Sequence, residues 1–184
     1  MTMFGEVGKV LTDENHTCSF DFSSADSCMQ YHNELGRRSS GQLSDVDFVV
    51  IKGQKAYFIE YKSRFTRERK GCRVCLNDCV SRKHCTRVHY SRNLAKKYMD
   101  SLSVFWADGC EDPPRKLYKH YILLYGEEKP KDALRYIRND ISGQLPHRGK
   151  IEGLSRTIID CISVITVDEF NEVFENEQFT AERC

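Results

Sequence analysis

The chain has 184 residues, 40% of them hydrophobic and 30% charged, a balance that supports one well-cored globular domain and excludes wholesale disorder. No run of about 18 apolar residues occurs, which excludes a transmembrane helix, and the first residues carry no basic-then-apolar leader, so an intracellular location, cytoplasmic or nuclear, is expected. The net charge of +1 hides an asymmetry: twelve Lys or Arg against two acids between Lys62 and Lys97, then eight acids against two bases from Ile151 to Cys184.

In chain order, Ser24 is placed to cap a helix running to Leu35, with Ala25, Cys28, Met29, His32 and Leu35 as its apolar stripe and Gly36 as its end. The stretch from Gly36 to Gln42 is a basic loop or short first strand, in which Arg37 and Arg38 are placed to meet phosphates. Two runs rich in Val, Ile, Phe and Tyr follow, Ser44 to Ile51 and Ala56 to Ser63. They flank Lys52-Gly53-Gln54-Lys55 and read as a β-hairpin. With the turn there, Ile51 opposes Ala56, Asp47 opposes Glu60 and Asp45 opposes Lys62. Carboxylates and an ammonium then share one side of an otherwise apolar hairpin. Such groups are costly to bury uncompensated. Mg²⁺ or Mn²⁺ on the hard carboxylate oxygens supplies the compensation, with Lys62 facing a nearby anion or water. Ordinary cross-strand charge pairs are the competing reading, but they leave unexplained why Val50, Ile51, Phe58 and Ile59 make both faces apolar.

This pattern, an Asp followed across the hairpin by Glu60-Tyr61-Lys62, resembles the PD-(D/E)xK nuclease superfamily. The Asp47-to-Glu60 interval and the ending Glu60-Tyr61-Lys62-Ser63 are similar to the archaeal Holliday-junction resolvases and the RecB-like nucleases. The resemblance covers the hairpin, and more loosely Glu34 to Lys62; the family's proline before the motif Asp is Val46 here. It implies a restriction-endonuclease-like core and divalent-metal-dependent hydrolysis of DNA phosphodiester bonds. It also implies Asp47 and Glu60 as Mg²⁺ or Mn²⁺ ligands, with Lys62 positioning the attacking water or stabilising the phosphorane. The superfamily usually adds an acidic residue on the helix before its hairpin; Glu34 is the candidate, with Glu14 and Asp26 in competition.

Nine cysteines in an intracellular chain read as thiols or metal ligands rather than disulfides. Cys72, Cys75, Cys79 and Cys85 lie within fourteen residues and match a closed tetrahedral Zn²⁺ site, with His84 or His89 able to replace one sulfur. An iron–sulfur cluster uses the same ligand chemistry and is the less favoured alternative. The surrounding arginines and lysines suit nucleic acid, because phosphate neutralisation dominates such binding, although four thiolates on zinc, about −2 in total, offset part of that charge. Residues 64–90 are thus read as a Cys-rich basic insertion. Cys18, Cys28, Cys110, Cys161 and Cys184 are scattered; Cys28 and Cys161 read as small core residues.

An amphipathic helix is expected from Arg87 to Leu102, with Val88, Leu94, Ala95, Tyr98 and Leu102 inward and Arg92, Lys96 and Lys97 outward. Gly109 to Pro114 reads as a loop. Leu117 to Tyr125 reads as a central strand, Asp132 to Leu145 as a helix with Ala133, Ile137, Ile141 and Leu145 on one side, and Ile158 to Val167 as another buried strand. Asp168 is read as the cap of a last acidic helix through Phe174. The order implies one α/β domain over residues 1–184, a mixed central β-sheet flanked by helices with the Cys-rich metal-binding insertion. The functional expectation is a metal-dependent nuclease partnered by DNA and not by a membrane. The alternative is a catalytically inactive nuclease-fold module, stabilised by zinc, that binds nucleic acid or protein. The oligomeric state is left open, a homodimer included.

Overall fold

Strands that are apolar on both faces demand cover on both faces, and the computed structural model meets that demand with three layers. It describes residues 10–31, 42–63, 82–107, 116–145 and 158–184, with side chains of the long helix described from Tyr90 onward. The central layer is a five-stranded mixed sheet in the order β3 (Ser27–Gln30), β4 (Phe48–Lys52), β5 (Lys55–Lys62), β6 (Tyr118–Tyr125), β7 (Cys161–Thr166). The first three strands pair antiparallel and the last three parallel. Helix α1 (Arg82–Ala107) joins β5 to β6, and α2 (Lys131–Gln144) joins β6 to β7. Successive parallel crossovers stepping the same way across a sheet lay their helices on one face; here Leu94, Tyr98, Leu102, Phe105, Leu134 and Ile141 pack on Val49, Phe58, Tyr121 and Leu123.

The opposite face buries Phe48, Val50, Tyr57, Ile59 and Ile122 against a three-stranded antiparallel sheet and a short helix. That smaller sheet runs β1 (Val10–Thr12), β2 (Cys18–Asp21), β8 (Thr180–Arg183), so the two ends of the described chain pair with each other. Helix α3 (Val167–Val173) follows β7 directly, with a 3₁₀ turn at Glu175–Glu177 before β8.

The hairpin forms in the expected register, Ile51 opposite Ala56 and Phe48 opposite Ile59. Gly53 takes φ 59° at the first turn position, where glycine meets no steric penalty. Two expectations are corrected. Within the helix expected from Ser24 to Leu35, Ser27–Gln30 is instead strand β3, antiparallel to β4 with Ser27 opposite Ile51, while residues 32–35 lie outside the described residues. Cys28 enters the core on one face of the sheet and Met29 the core on the other, and two adjacent buried residues imitate part of a helical stripe. The last helix is capped by Thr166 and not Asp168: the Thr166 hydroxyl accepts from the Glu169 amide, and the Glu169 carboxylate accepts from the Thr166 amide. The strands β1, β2 and β8 were not anticipated. Their lengths of three or four residues leave little periodicity to read. Among the described residues no helix is long and apolar enough to cross a membrane.

Candidate functional site

Side chains alternate along a strand, and on β5 that alternation sends Ala56 and Phe58 toward α1, and Tyr57 and Ile59 toward the small sheet. Glu60 and Lys62 therefore fall on the α1 side, at the carboxyl end of β5. One step beyond the Phe48–Ile59 pair, Asp47 comes across from Glu60 on that side. Here β4 leaves its partner. The Tyr61 amide, which a longer β4 would engage, donates to Asp47 Oδ2 at 2.7 Å, while the Val46 amide donates to Ser101 Oγ on α1 at 3.0 Å. The bend aims the Asp47 carboxylate into the site and fixes it with a backbone donor. The ladder does not extend to the position given to Asp45; Lys62 pairs instead with Glu60.

Glu60 is fully buried. Its Oε1 lies 2.5 Å from Lys62 Nζ and 2.9 Å from Lys97 Nζ, and its Oε2 accepts from Lys97 at 3.1 Å. Oε1 is within ion-pair distance of both ammoniums. Both oxygens of this buried carboxylate are thus engaged by ammoniums, which offsets the cost of burying its charge.

Burial, and next the Glu60 carboxylate, push the Asp47 carboxyl up to about 8; Lys97, the Tyr61 amide and Lys62 act in the opposite sense. The residue as a whole is only half-buried, so it is the carboxyl group that feels the dense surroundings. Burial pulls Lys62 down, but Glu60, by charge and by hydrogen bond, together with Asp47 and Glu14, leaves its ammonium above the ordinary value. Two carboxylates that repel one another at one strand end fit the hard-oxygen donor set expected for Mg²⁺ or Mn²⁺. No group of three or more His, Cys, Asp or Glu placed to hold a metal occurs among the described residues. Asp47 and Glu60 are the two carboxylates that the structure brings together at this end of β5.

The third acid divides three ways. Glu34 lies outside the described residues. Asp26 accepts from the Gly53 amide at the hairpin turn, the wrong end of β5. Glu14, exposed in the β1–β2 turn, lies close enough to raise Lys62. Of the cysteine cluster, Cys72, Cys75 and Cys79 lie outside the described residues, and Cys85 is placed only by its backbone, on the first turn of α1. Cys18 and Cys28 are buried thiols, both pushed up to about 12 with burial as the largest cause, which suits core packing and not metal ligation.

Lys97 was assigned to the solvent face of its helix, and the structure corrects that. At about 100° per residue, Lys97 lies about 60° from Leu94, at the border of the buried arc, whereas Lys96 lies about 160° away. That angle is the signal that separates two adjacent lysines. The same border carries Tyr90, whose hydroxyl meets that of Tyr125, at the end of β6, at 2.9 Å. Burial first, then Glu60, push Tyr90 up to about 12, with Tyr125 and Lys97 opposing, so it stays a neutral hydroxyl beside the charged cluster.

A second concavity, about 330 Å³, opens at the other end of β5 and β6 between Lys55, Tyr57, Tyr118, His120 and Glu177. Its polar groups are already engaged: Glu177 accepts from Lys55 at 2.8 Å and from Tyr57 at 3.1 Å, and His120 meets Ser163 at 2.8 Å. With those groups satisfied within the fold, the chemistry favours the Asp47–Glu60–Lys62 cluster as the candidate site. No family model, curated protein or solved structure matches the chain.

Proposed function

We propose that this chain is a divalent-metal-dependent nuclease of PD-(D/E)xK type, with a restriction-endonuclease-like core, that hydrolyses DNA phosphodiester bonds. One observation carries the reading. Asp47, Glu60 and Lys62 converge on one face at the carboxyl end of β5, close enough for Glu60 to raise Asp47 and for Lys62 to contact Glu60. A carboxylate pair and an ammonium at a shared edge are the groups that metal-assisted phosphodiester hydrolysis needs. The mixed sheet with the hairpin at its centre supports the core assignment, and the basic run from Lys62 to Lys97 supports a polyanionic partner.

Mg²⁺ or Mn²⁺ held by Asp47 and Glu60 would supply Lewis acidity and a bound water of lowered pKa. Asp47, oriented by the Tyr61 amide, presents its carboxylate in a fixed direction. Glu60, buried between β5 and α1, is paired with the ammoniums of Lys62 and Lys97. Lys62 is part-exposed at 30%, so its ammonium can meet both the carboxylate and an incoming phosphate, whose charge grows in the transition state.

The test is cleavage of labelled single-stranded, duplex and branched DNA with Mg²⁺ or Mn²⁺. Glu60→Ala and Lys62→Ala are each expected to lower the rate by about 100-fold or more, with folding checked by circular dichroism. Undiminished cleavage by both folded variants would exclude this site.

A further inference from the structure

The nuclease reading employs one lysine, yet two lysines hold the same buried carboxylate. Lys97 touches both oxygens of Glu60, at 2.9 and 3.1 Å, and Lys62 lies 2.5 Å from Oε1. We propose that Lys97 is a positioning residue that occupies Glu60 in the cation-free protein and has to release it when the divalent cation loads. The proposal rests on the nuclease reading above.

A buried carboxylate requires a compensating charge, and before loading the described residues supply it as ammoniums. One ammonium would balance the Glu60 carboxylate; the second, Lys97, lies against both of its oxygens and also reaches Asp47 by charge. An ammonium set against both oxygens repels a cation approaching either of them, and that repulsion is strong in a dry setting. Lys97 and the cation therefore compete for Glu60, and by linkage each weakens the other. The helix itself need not move. Lys97 lies between Tyr90, bonded to Tyr125, and Ser101, bonded to the Val46 amide, which tie the same edge of α1 to the sheet. The lysine stem is flexible and 23% exposed, so the ammonium can swing while its backbone stays. Once released, its charge stays at the mouth of the site, where a phosphate needs compensation. Lys97 thus competes for Glu60 and sets the cation concentration at which the site loads.

The experiment measures Mn²⁺ binding to the full chain by electron paramagnetic resonance, for wild type and Lys97→Gln, alongside cleavage at saturating Mn²⁺. The glutamine keeps a donor for Glu60 and removes the charge. Mn²⁺ affinity is expected to rise by about tenfold or more, while kcat falls with little change in KM for DNA. A parallel measurement needs no variant: the Lys97 ammonium nitrogen resonance of wild type should shift as Mg²⁺ is added, with the same midpoint as cleavage. Wild type that binds Mn²⁺ while Lys97→Gln binds it equally or more weakly overturns the competition and leaves the nuclease reading standing. A Lys97 resonance indifferent to Mg²⁺ in a cleaving enzyme does the same. Wild type that neither binds Mn²⁺ nor cleaves DNA overturns both.

Discussion

Gly126 shows how little room surrounds the end of β5. It follows β6 directly and donates its amide to the Lys62 carbonyl at 2.9 Å. A methyl group there would collide with the Tyr61 hydroxyl and press on Ser63, 3.1 Å from its carbonyl oxygen and 3.2 Å from its Cα. Tyr61 is packed in the core and cannot yield freely. Gly126→Ala is therefore expected to cost about 1–3 kcal/mol and to lower cleavage beyond the loss of folded protein, because it displaces Lys62; urea titration beside the DNA assay separates the two effects. At the far end of the same strands, burial first and Lys55 second push the His120 imidazole down to about 4, with Glu177 opposing. The sign follows from that depression. Below its ordinary value of about 6.5 the unfolded chain takes up a proton that the folded chain refuses, so stability present above that pH is lost as pH falls toward 4. His120→Gln, which keeps a partner for Ser163, should show a smaller drop in Tm between about pH 7 and pH 4.5 than wild type. Parallel curves would mean that His120 titrates freely in the fold.

At the scale of elements, β5 was legible because its neighbours hide both of its faces and its turn carries a glycine. The alternation of apolar strands with amphipathic helices was legible too, while that β5, β6 and β7 pair in parallel came from the structure. Strand β3 was not. Its burial pattern places Cys28 and Met29 side by side, and only pairing with β4 decides between strand and helix. The site divides in the same way. Asp47, Glu60 and Lys62 follow from strand alternation and hairpin register, which are local. Lys97 joins them only because α1 crosses the end of β5, about 37 residues along the chain from Glu60. The β7–α3 junction gives an element-scale prediction. Thr166 accepts from the Glu169 amide and closes the capping box, so Thr166→Ala is expected to cost about 1 kcal/mol, read as a lower midpoint in chemical denaturation.

For the whole molecule, one aromatic seam joins the layers. Phe179, fully buried just before β8, packs 5.4 Å from Phe22 and 5.6 Å from Tyr57, ring centre to ring centre, with Lys52 Nζ 5.3 Å above its ring. It links the small sheet, the central sheet and the chain's last strand. Phe179→Ala should cost about 3–5 kcal/mol and lower the unfolding midpoint in a single cooperative transition; separate melting of β1, β2 and β8 would show that the two sheets are independent.

The sequence by itself determined the class of this protein, its hairpin register and the acid–acid–lysine set on one face of that hairpin. Those follow from periodicities of two and 3.6 residues and from turn chemistry, each confined to neighbours along the chain. Only the tertiary structure decided that Ser27–Gln30 is a strand, that the chain's ends pair in a second sheet, and that Lys97 shares Glu60 with Lys62. Each of these depends on which distant backbone or charge arrives alongside, and short or borderline segments carry too little periodicity to announce it.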